Sequence, residues 1–544
     1  MRRTAALLAL ALGPVLVLGV FFVLPVSGML ARGLWPDGTF DPGAVAEVLT
    51  RPRVHRVLWF TAWSAAAATL VSVALGLPAA YALHRLAFPL RRVIRAALLV
   101  PFVLPTVVVG VAFKQLLGES GPLGFLGLDG TPVAIVLGLA FFNVSVVIRV
   151  VGSAWESLDV RPAEAAAALG AGPVQVFRTV TLPALRPAIV SAASVVFLFC
   201  AAGFGVVLTL GGLRYSTVET EIYLLTTNLL DLQAAAALSI LQLVVVSVLL
   251  VISGRLRAVP DPGVSRVLAR PRRPRAGDVP VLLATGVVLL FVGLPVLTLV
   301  AGSLQVDGAW SLGNYRALGS TGDQQALLVP VTEALGFSLR TAVDATWMSL
   351  LMGVLVATVV TRRSRTRAER RVRSALDGFF MLPLGVSAVT VGFGFLITLD
   401  SPPLDLRDSP LLVPIAQALV ALPLVIRTLA PVLHGIDDRQ RQAAASLGAG
   451  PLRTVLTVDL PVVWKPLLAA AGFAFAVSLG EFGATSFLAR DDQPTVPVVI
   501  FRLIGHPGAM NYGMALAASV VLAAATALVM LLVERLRVPS VGAF

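Results

Sequence analysis

Long apolar segments recur along the whole chain and restrict the fold more than any other feature. Each holds about 20 residues with few charges, which is the length that an α-helix needs to cross a bilayer. Backbone inside lipid must satisfy its own hydrogen bonds, so continuous apolar runs of this length predict helices. Of the 544 residues, 57% are hydrophobic and only 13% are charged, whereas soluble domains are about a quarter charged. The sequence therefore predicts an all-α polytopic membrane protein.

We predict about twelve transmembrane helices, in two sets of about six separated by an Arg- and Pro-rich linker. The first set is predicted at residues 5–30, 58–83, 96–117, 132–151, 188–210 and 233–253. The second set is predicted at residues 279–303, 340–360, 376–399, 411–433, 467–488 and 514–533. The predicted domains are a first half at 1–253, a basic cytoplasmic linker at 254–278 and a second half at 279–544.

Basic residues are concentrated in every second connection between the predicted spans. Cytoplasmic loops carry an excess of Lys and Arg, so this pattern predicts that these connections and both termini are cytoplasmic. The net charge of +13 would also suit binding of nucleic acid or of particular lipids, but topology explains the arrangement of the charges better. The basic positions are Arg2, Arg3, Arg85, Arg91, Arg92, Arg95, the segments Arg255–Arg275 and Arg362–Arg373, Arg535 and Arg537.

The two halves are similar at a nearly constant separation. Arg149 in "VVIRV" and Arg427 in "LVIRT" are 278 positions apart. The same separation relates the two copies of "LGAGP" and continues to "GFG" at Gly203 and "EFG" at Glu481. Shared Ala- and Val-rich composition would not keep one separation through helices and loops. The pattern indicates a duplication, with parallel repeats related by a pseudo-twofold axis along the membrane normal.

One short polar segment occurs once in each half. It reads "EAAAALGAGPVQVF" from Glu164 and "QAAASLGAGPLRTV" from Gln442. Ser157 or Asp159 can cap its first helix, and the glycines of "LGAG" can end that helix. We predict a compact helix–turn–helix on the cytoplasmic face, with an Ala/Gly surface that lacks bulky side chains and lets another backbone approach closely. The alternative is an ordinary Ala-rich connector.

The extended segments "EAAAALGAGPVQVFRTVTLP" and "QAAASLGAGPLRTVLTVDLP" resemble the EAA motif of ATP-binding cassette (ABC) importer permeases, type I, in the form that fuses two permease halves. In that family the loop is the coupling helix that sits in a groove of the ATPase subunit. The resemblance implies two such loops, at about 157–187 and about 435–466. It implies that the coupling residues are Glu164, Ala165, Ala166, Leu169 and Gly170 in the first loop, and Gln442, Ala443, Ala444, Leu447 and Gly448 in the second.

The same resemblance implies the partners and the location. We expect an ATP-binding cassette ATPase homodimer on the cytoplasmic side, an extracytoplasmic solute-binding protein, and a bacterial inner (plasma) membrane around the chain. The sequence contains no G-x-x-x-x-G-K-[ST] motif, and its two lysines, Lys114 and Lys465, lie outside glycine-rich loops. We therefore expect no catalytic residues, metal site or cofactor in this chain, with ATP and Mg used by the partner ATPase.

Candidate residues of a translocation path are the polar and aromatic groups within the apolar segments. Glu481 and its equivalent Gly203, the paired aromatics Phe482 and Phe204, and Asn143 are the candidates. Each has a structural alternative. Glu481 could end a helix, reaching water or pairing with Arg490, the phenylalanines could pack in the core, and Asn143 could bond across helices.

The segment "LGEFGA" (Leu479–Ala484) resembles the fifth helix of permeases from thiamine, ferric-iron, sulfate and molybdate importers. "FLFCAAGFGVVLTLGGLRYSTVETEIY" (Phe197–Tyr223) is most similar to the thiamine permeases. The resemblance implies thiamine or its phosphates as the solute, with ferric iron as the alternative and a sulfate- or molybdate-like solute after it. A secondary transporter is less compatible, since the loop "HRLAFPLRRVIR" lacks the basic G-x-x-x-D motif of that class.

Overall fold

The computed structural model describes residues 11–35, 38–98, 100–212, 214–256, 271–361, 366–400 and 404–536. Four predicted features extend outside the described residues: the start of the first span, most of the linker, the beginning of the basic segment Arg362–Arg373, and the terminal basic positions Arg2, Arg3 and Arg537.

The helices are numbered in chain order. Those of the first half are α1 (Leu24–Leu34, continuing a π-helical turn Gly19–Val23), α2 (Pro42–Thr50), α3 (Pro52–Arg85), α4 (Arg91–Ala97), α5 (Thr106–Leu117), α6 (Pro132–Glu156), α7 (Arg161–Ala168), α8 (Pro173–Val176), α9 (Leu182–Ala201), α10 (Gly205–Gly211), α11 (Val218–Thr227) and α12 (Leu232–Leu256). Those of the second half are α13 (Val279–Ser303), α14 (Gly313–Ala317), α15 (Val331–Thr361), α16 (Arg367–Phe380), α17 (Ala388–Thr398), α18 (Leu412–Gly435), α19 (Asp438–Ser446), α20 (Pro451–Thr454), α21 (Leu460–Leu479), α22 (Thr485–Leu488), α23 (Val496–Gly505) and α24 (Ala509–Leu536). The two strands, β1 (Gln305–Val306) and β2 (Ala309–Trp310), form an antiparallel hairpin.

The predicted class is confirmed. Within the described residues, ten helices are long and apolar enough to cross a membrane, and an eleventh span is present if the bent pair Val93–Val103 and Thr106–Leu117 is one crossing. The predictions of single helices at 96–117 and 376–399 are wrong. The first is bent by 106°, and the second is divided into α16, the 3₁₀ turn Leu382–Gly385 and α17.

Proline accounts for both breaks. Pro101 lies in the 3₁₀ turn Val100–Val103, Pro105 precedes α5, and Pro383 lies in the turn before α17. Proline has no N–H to donate and its ring clashes with the preceding helical turn, so a helix ends or kinks there. An apolar run alone does not reveal this, because hydropathy is unchanged across the break.

The predicted spans 188–210 and 467–488 are also interrupted at matching places. In the first half α9 ends at Ala201 and α10 begins at Gly205; in the second half α21 ends at Leu479 and α22 begins at Thr485. The glycine-containing segments "AGFG" and "GEFG" fall in these gaps. Glycine disfavours the helix interior, so the break follows from local sequence rather than from hydropathy.

One compact unit comprises the described residues of 1–49, 222–243 and 303–543. Helices α15, α18 and α21 pack against one another in it, and α24 packs on α21. The N-terminal helix packs on α17, where the rings of Phe21 and Phe395 are 6.2 Å apart. Leu18, Phe380 and Leu419 are buried in the core of this unit.

The other compact unit comprises the described residues of 50–221 and 244–302. Helices α3, α6 and α9 pack together, and α10 packs on α5. Phe291 of α13 contacts Phe113 and Phe141, with both ring-centroid distances at 6.3 Å. The first helix of each sequence half therefore packs with helices of the other half. The compact units do not coincide with the two sequence halves. The predicted half boundaries at 253 and 279 describe the sequence repeat and stay a prediction.

Equivalent contacts occur in both halves. The Thr61 hydroxyl accepts a hydrogen bond from the Val218 backbone N–H at 3.0 Å, and Ser338 accepts one from Val496 at 2.8 Å. Both bonds satisfy an N–H at the start of a short helix, a group that has no partner within that helix. The repeat detected in the sequence therefore also appears as the same hydrogen bond in both halves.

Candidate coupling loops and path residues

The first repeated loop is a short helix closed by a glycine. Helix α7 ends at Ala168, and Gly170 follows with φ of +88°. The Gly170 N–H donates to the Ala167 carbonyl at 3.0 Å, and the Ala171 N–H donates to the Ala166 carbonyl at 3.1 Å. These two bonds are the Schellman termination, which requires a residue in the left-handed region and favours glycine there.

The second loop has the same termination. Helix α19 ends at Ser446, and Gly448 has φ of +84°. The Gly448 N–H donates to the Ala445 carbonyl and the Ala449 N–H donates to the Ala444 carbonyl, both at 3.0 Å. The two sequences therefore fold to one backbone geometry, as the repeat predicted.

Both helices also begin alike. The Asp159 carboxylate accepts a hydrogen bond from the Arg161 N–H at 3.1 Å, and Asp437 accepts one from the Arg439 N–H at 3.0 Å. Of the two capping residues suggested by the sequence, Asp159 makes this contact. Ser157 instead donates its hydroxyl to the Ala154 carbonyl.

A leucine projects at the tip of each loop. Leu169 is 90% exposed and Leu447 is 88% exposed, in positions that directly precede the left-handed glycines. Burial of an apolar side chain of this size is worth about 1.5–3 kcal/mol, so two isolated exposed leucines are candidates for contacts with another protein. The expectation of a surface without bulky side chains is wrong at these two positions.

The remaining predicted coupling residues lie around the leucines. Glu164 and Gln442 are exposed on their helices, as are Ala165 and Ala443. Ala166 and Ala444 are half-buried. The structure thus gathers the predicted residues of each loop on one short helix and its glycine turn.

The Glu481 carboxylate accepts hydrogen bonds from backbone N–H groups three and four residues further along the chain. One carboxylate oxygen accepts from the Ala484 N–H at 2.7 Å, and the other accepts from the Thr485 N–H at 3.0 Å. The side chain is buried and caps the start of α22. Arg490, the ion-pair partner considered from the sequence, contacts Asp492 at 2.7 Å instead. Glu481 therefore lies at a helix end, as one interpretation of the sequence had it, but it is buried and does not pair with Arg490.

The other path candidates are buried among packing contacts. Phe482 is buried with its ring 5.5 Å from that of Phe501, and Phe204 is buried in the other compact unit. A Cβ on Gly203 would come within 2.5 Å of the Leu139 side chain. These contacts explain the packing of each residue, and a role in transport stays a prediction.

Asn143 makes an unusual set of contacts for a buried amide. Its side-chain nitrogen donates to the Leu139 carbonyl at 2.8 Å and lies 3.2 Å from the Cys200 sulfur. Its side-chain oxygen is buried and has no hydrogen-bond partner among the described residues. A buried, unsatisfied acceptor is costly, so Asn143 keeps its place among the path candidates.

Sequence reasoning missed a buried ion pair. Glu221 of α11 is buried and accepts hydrogen bonds from the guanidinium of Arg53, one of them at 3.2 Å. The available signal was the pair of acidic residues Glu219 and Glu221 in a short helix between apolar segments, since a buried carboxylate needs a cationic partner.

Comparison with known proteins identifies the family. The model described as "Binding-protein-dependent transport system inner membrane component" matches residues 72–266 and 349–537, which together exceed half of the chain. The chain belongs to this family. Its two matched segments are the two repeats of a type I ABC importer permease.

Several relatives of this permease are similar over most of their length. The thiamine transport system permease protein ThiP of Brucella abortus (strain 2308) is 29% identical over 508 residues, covering 90% of this chain and 89% of the relative. The ThiP protein of Escherichia coli (strain K12) is 29% identical over 466 residues, covering 82% and 83%. The probable ABC transporter permease protein y4fN of Sinorhizobium fredii (strain NBRC 101917 / NGR234) is 26% identical over 520 residues, covering 88% and 87%.

Both loops of the permease lie inside the matched segments, at equivalent places in the two repeats. The path candidates lie inside them too. The family thus accounts for the duplicated architecture that the sequence indicated, and the permease is a multi-pass membrane protein.

Proposed function

We propose that this permease carries thiamine or its phosphates into the cytoplasm as the membrane subunit of an ABC importer. The support for the solute is that relatives named as thiamine transport system permeases match about nine-tenths of the chain. The fused two-repeat layout and the segment Phe197–Tyr223 point the same way.

The energy for transport would come from an ATPase homodimer that docks on the two loops. The observation that best supports this proposal is the pair of exposed leucines, Leu169 and Leu447, each beside a left-handed glycine. Two equivalent protrusions suit a partner with two equivalent grooves, as a symmetric dimer provides. ATP and Mg would be used by that partner, since the sequence of this chain has no phosphate-binding loop.

The transport cycle would be alternating access. A solute-binding protein delivers solute to the extracytoplasmic face, and the basic loops and both termini face the cytoplasm. ATP binding draws the two docked loops together, which shifts the permease toward its outward-open state, and hydrolysis restores the inward-open state. The ATPase can shift this equilibrium only by binding the two states with different affinities.

Growth of a strain that lacks the chromosomal copy tests the solute. In a background that cannot synthesise thiamine, we expect the intact gene to restore growth at low external thiamine. Under iron limitation we expect no effect of the gene. Rescue only under iron limitation would replace thiamine with ferric iron while leaving the permease assignment in place.

A further inference from the structure

The two coupling loops share a backbone but are fixed to the membrane helices by different side-chain chemistry. We propose that Arg441 and Asp459 are positioning residues of the second loop, and that Trp155 and Phe177, at a different pair of positions, are positioning residues of the first. This inference rests on the proposed docking of the ATPase on the loops. It concerns how a movement of each loop is transmitted to the membrane helix that follows it.

An ion pair connects the second loop to the following membrane helix. The Arg441 Nε donates to an Asp459 carboxylate oxygen at 2.8 Å, with the two side chains 21% and 11% exposed. Arg441 lies on α19, and Asp459 ends the π-helical turn Val455–Asp459 directly before α21. A displacement of α19 therefore acts on α21 through a charged hydrogen bond, which is shorter and stronger than a neutral one.

The first loop cannot form this pair. The equivalent positions, at the 278-residue separation, are Ala163 and Thr181. Arg161 pairs instead with Asp159, two residues away on the same loop, so that ion pair connects nothing to a membrane helix. The difference is one of residue type at fixed positions, in loops whose backbones otherwise agree.

The first loop instead has an aromatic contact at other positions, between the end of α6 and the π-helical turn Phe177–Thr181. The ring of Trp155, at the end of α6, stacks on Phe177 with centroids 6.3 Å apart and an interplanar angle of 22°. Tyr81 of α3 lies on Trp155 at 5.2 Å. Phe177 begins the π-helical turn that leads into α9. The start of the π-helical turn is thus packed against the ends of α6 and α3 by one stacked and one tilted ring contact.

The second half has no rings at these positions. Leu433 and Val455 are the equivalents of Trp155 and Phe177. The residues of the ion pair are therefore present only in the second loop, and the residues of the ring contact only in the first. An ion pair fails when either charge is removed and is restored when both are exchanged, whereas a stack depends on ring surface and not on charge.

The test uses the full complex of permease, ATPase and binding protein in proteoliposomes. The measured quantity is radiolabelled thiamine transported per ATP hydrolysed, with co-purification of the ATPase and the thermal unfolding midpoint as separate readouts. We expect Arg441→Asp and Asp459→Arg singly to lower this ratio by about tenfold, because each leaves like charges facing each other in a poorly solvated place. We expect the double exchange to return the ratio to within about threefold of the wild type, since coupled residues are not additive.

The first loop has its own matched pair of variants. Trp155→Leu introduces the residue of the second half and removes the stack, so we expect a lower ratio of thiamine to ATP. Trp155→Phe keeps a ring, so we expect it to retain most of the wild-type ratio of thiamine to ATP. Charge exchange within the second loop should leave the dependence on Trp155 unchanged.

The outcomes separate this inference from the function on which it rests. If the wild-type complex does not assemble or transports no thiamine with ATP, the proposed function fails. If it transports normally while both single variants keep the wild-type ratio, the ion-pair inference alone is overturned. A double exchange no better than the single variants overturns it as well, and Trp155→Leu with the wild-type ratio overturns the role of the stack.

Discussion

Replacing Gly170 and Gly448 together by valine should uncouple the permease from its ATPase without unfolding it. No heavy atom of the described residues, apart from chain neighbours, lies within 4 Å of a Cβ placed on either glycine. The cost is therefore confined to the backbone, whose φ is +88° at one position and +84° at the other. A non-glycine residue in the left-handed region costs about 1–2 kcal/mol. At a factor of ten for each 1.4 kcal/mol, each loop shifts away from its closed turn by about 5- to 30-fold.

The assay is co-purification of the ATPase with the permease, followed by transport in proteoliposomes. The matched control replaces both glycines by asparagine, which enters the left-handed region more readily than valine does. We expect strong loss of ATPase binding for the valine variant, partial loss for the asparagine variant, and unchanged thermal unfolding for both. Full ATPase binding by the valine variant would refute the assignment of the glycine turns as part of the docking surface.

Three further predictions concern other residues. The double variant Leu169→Asp, Leu447→Asp should change the stability of the isolated permease by less than about 0.5 kcal/mol, as surface substitutions do. It should abolish pull-down of the ATPase, and retained pull-down would count against the two leucines as contacts. Glu481→Ala should cost about 1–3 kcal/mol by removing the acceptor of two buried N–H groups, seen as a lower unfolding midpoint in detergent, whereas an unchanged midpoint would contradict the capping role. Arg53→Met leaves the buried carboxylate of Glu221 without its cation and should cost about 1–3 kcal/mol. Glu221→Gln in the same background should recover part of the lost stability, and no recovery would refute the pairing.

The parts of the fold that depend on hydropathy and on short local patterns could be predicted from the sequence. Apolar runs of membrane-spanning length gave the long helices such as α6 and α18. The pattern of alanines followed by "LGAGP" gave the helix and its left-handed glycine in both loops, because few residues other than glycine adopt that backbone conformation readily. The constant separation of 278 positions predicted the equivalence of the two loops.

Breaks within apolar runs were harder to predict. The prolines at 101, 105 and 383 were visible in the sequence, yet many membrane helices tolerate proline, as α3 does at Pro78. Whether a proline kinks a helix or ends it depends on what neighbouring elements supply to the freed carbonyls. That information is tertiary and is absent from a hydropathy pattern.

Contacts between residues distant in sequence were the least predictable part of the site. The Arg441–Asp459 pair joins two elements across a turn, and nothing in either local sequence identifies the other as its partner. Glu481 illustrates the same limit. Its acidic character was noticed, but the choice between Arg490 and two backbone N–H groups depended on the direction of the chain after the glycine break.

Uptake of radiolabelled thiamine into proteoliposomes tests the central claim most directly. The vesicles contain the permease with its ATPase, the binding protein is added on the opposite side, and ATP with Mg is supplied to the ATPase. The account predicts accumulation that needs ATP, ATPase and binding protein together, and that is lost in the valine variant at Gly170 and Gly448. Accumulation by the permease alone, driven by an ion gradient and indifferent to the loops, would contradict it.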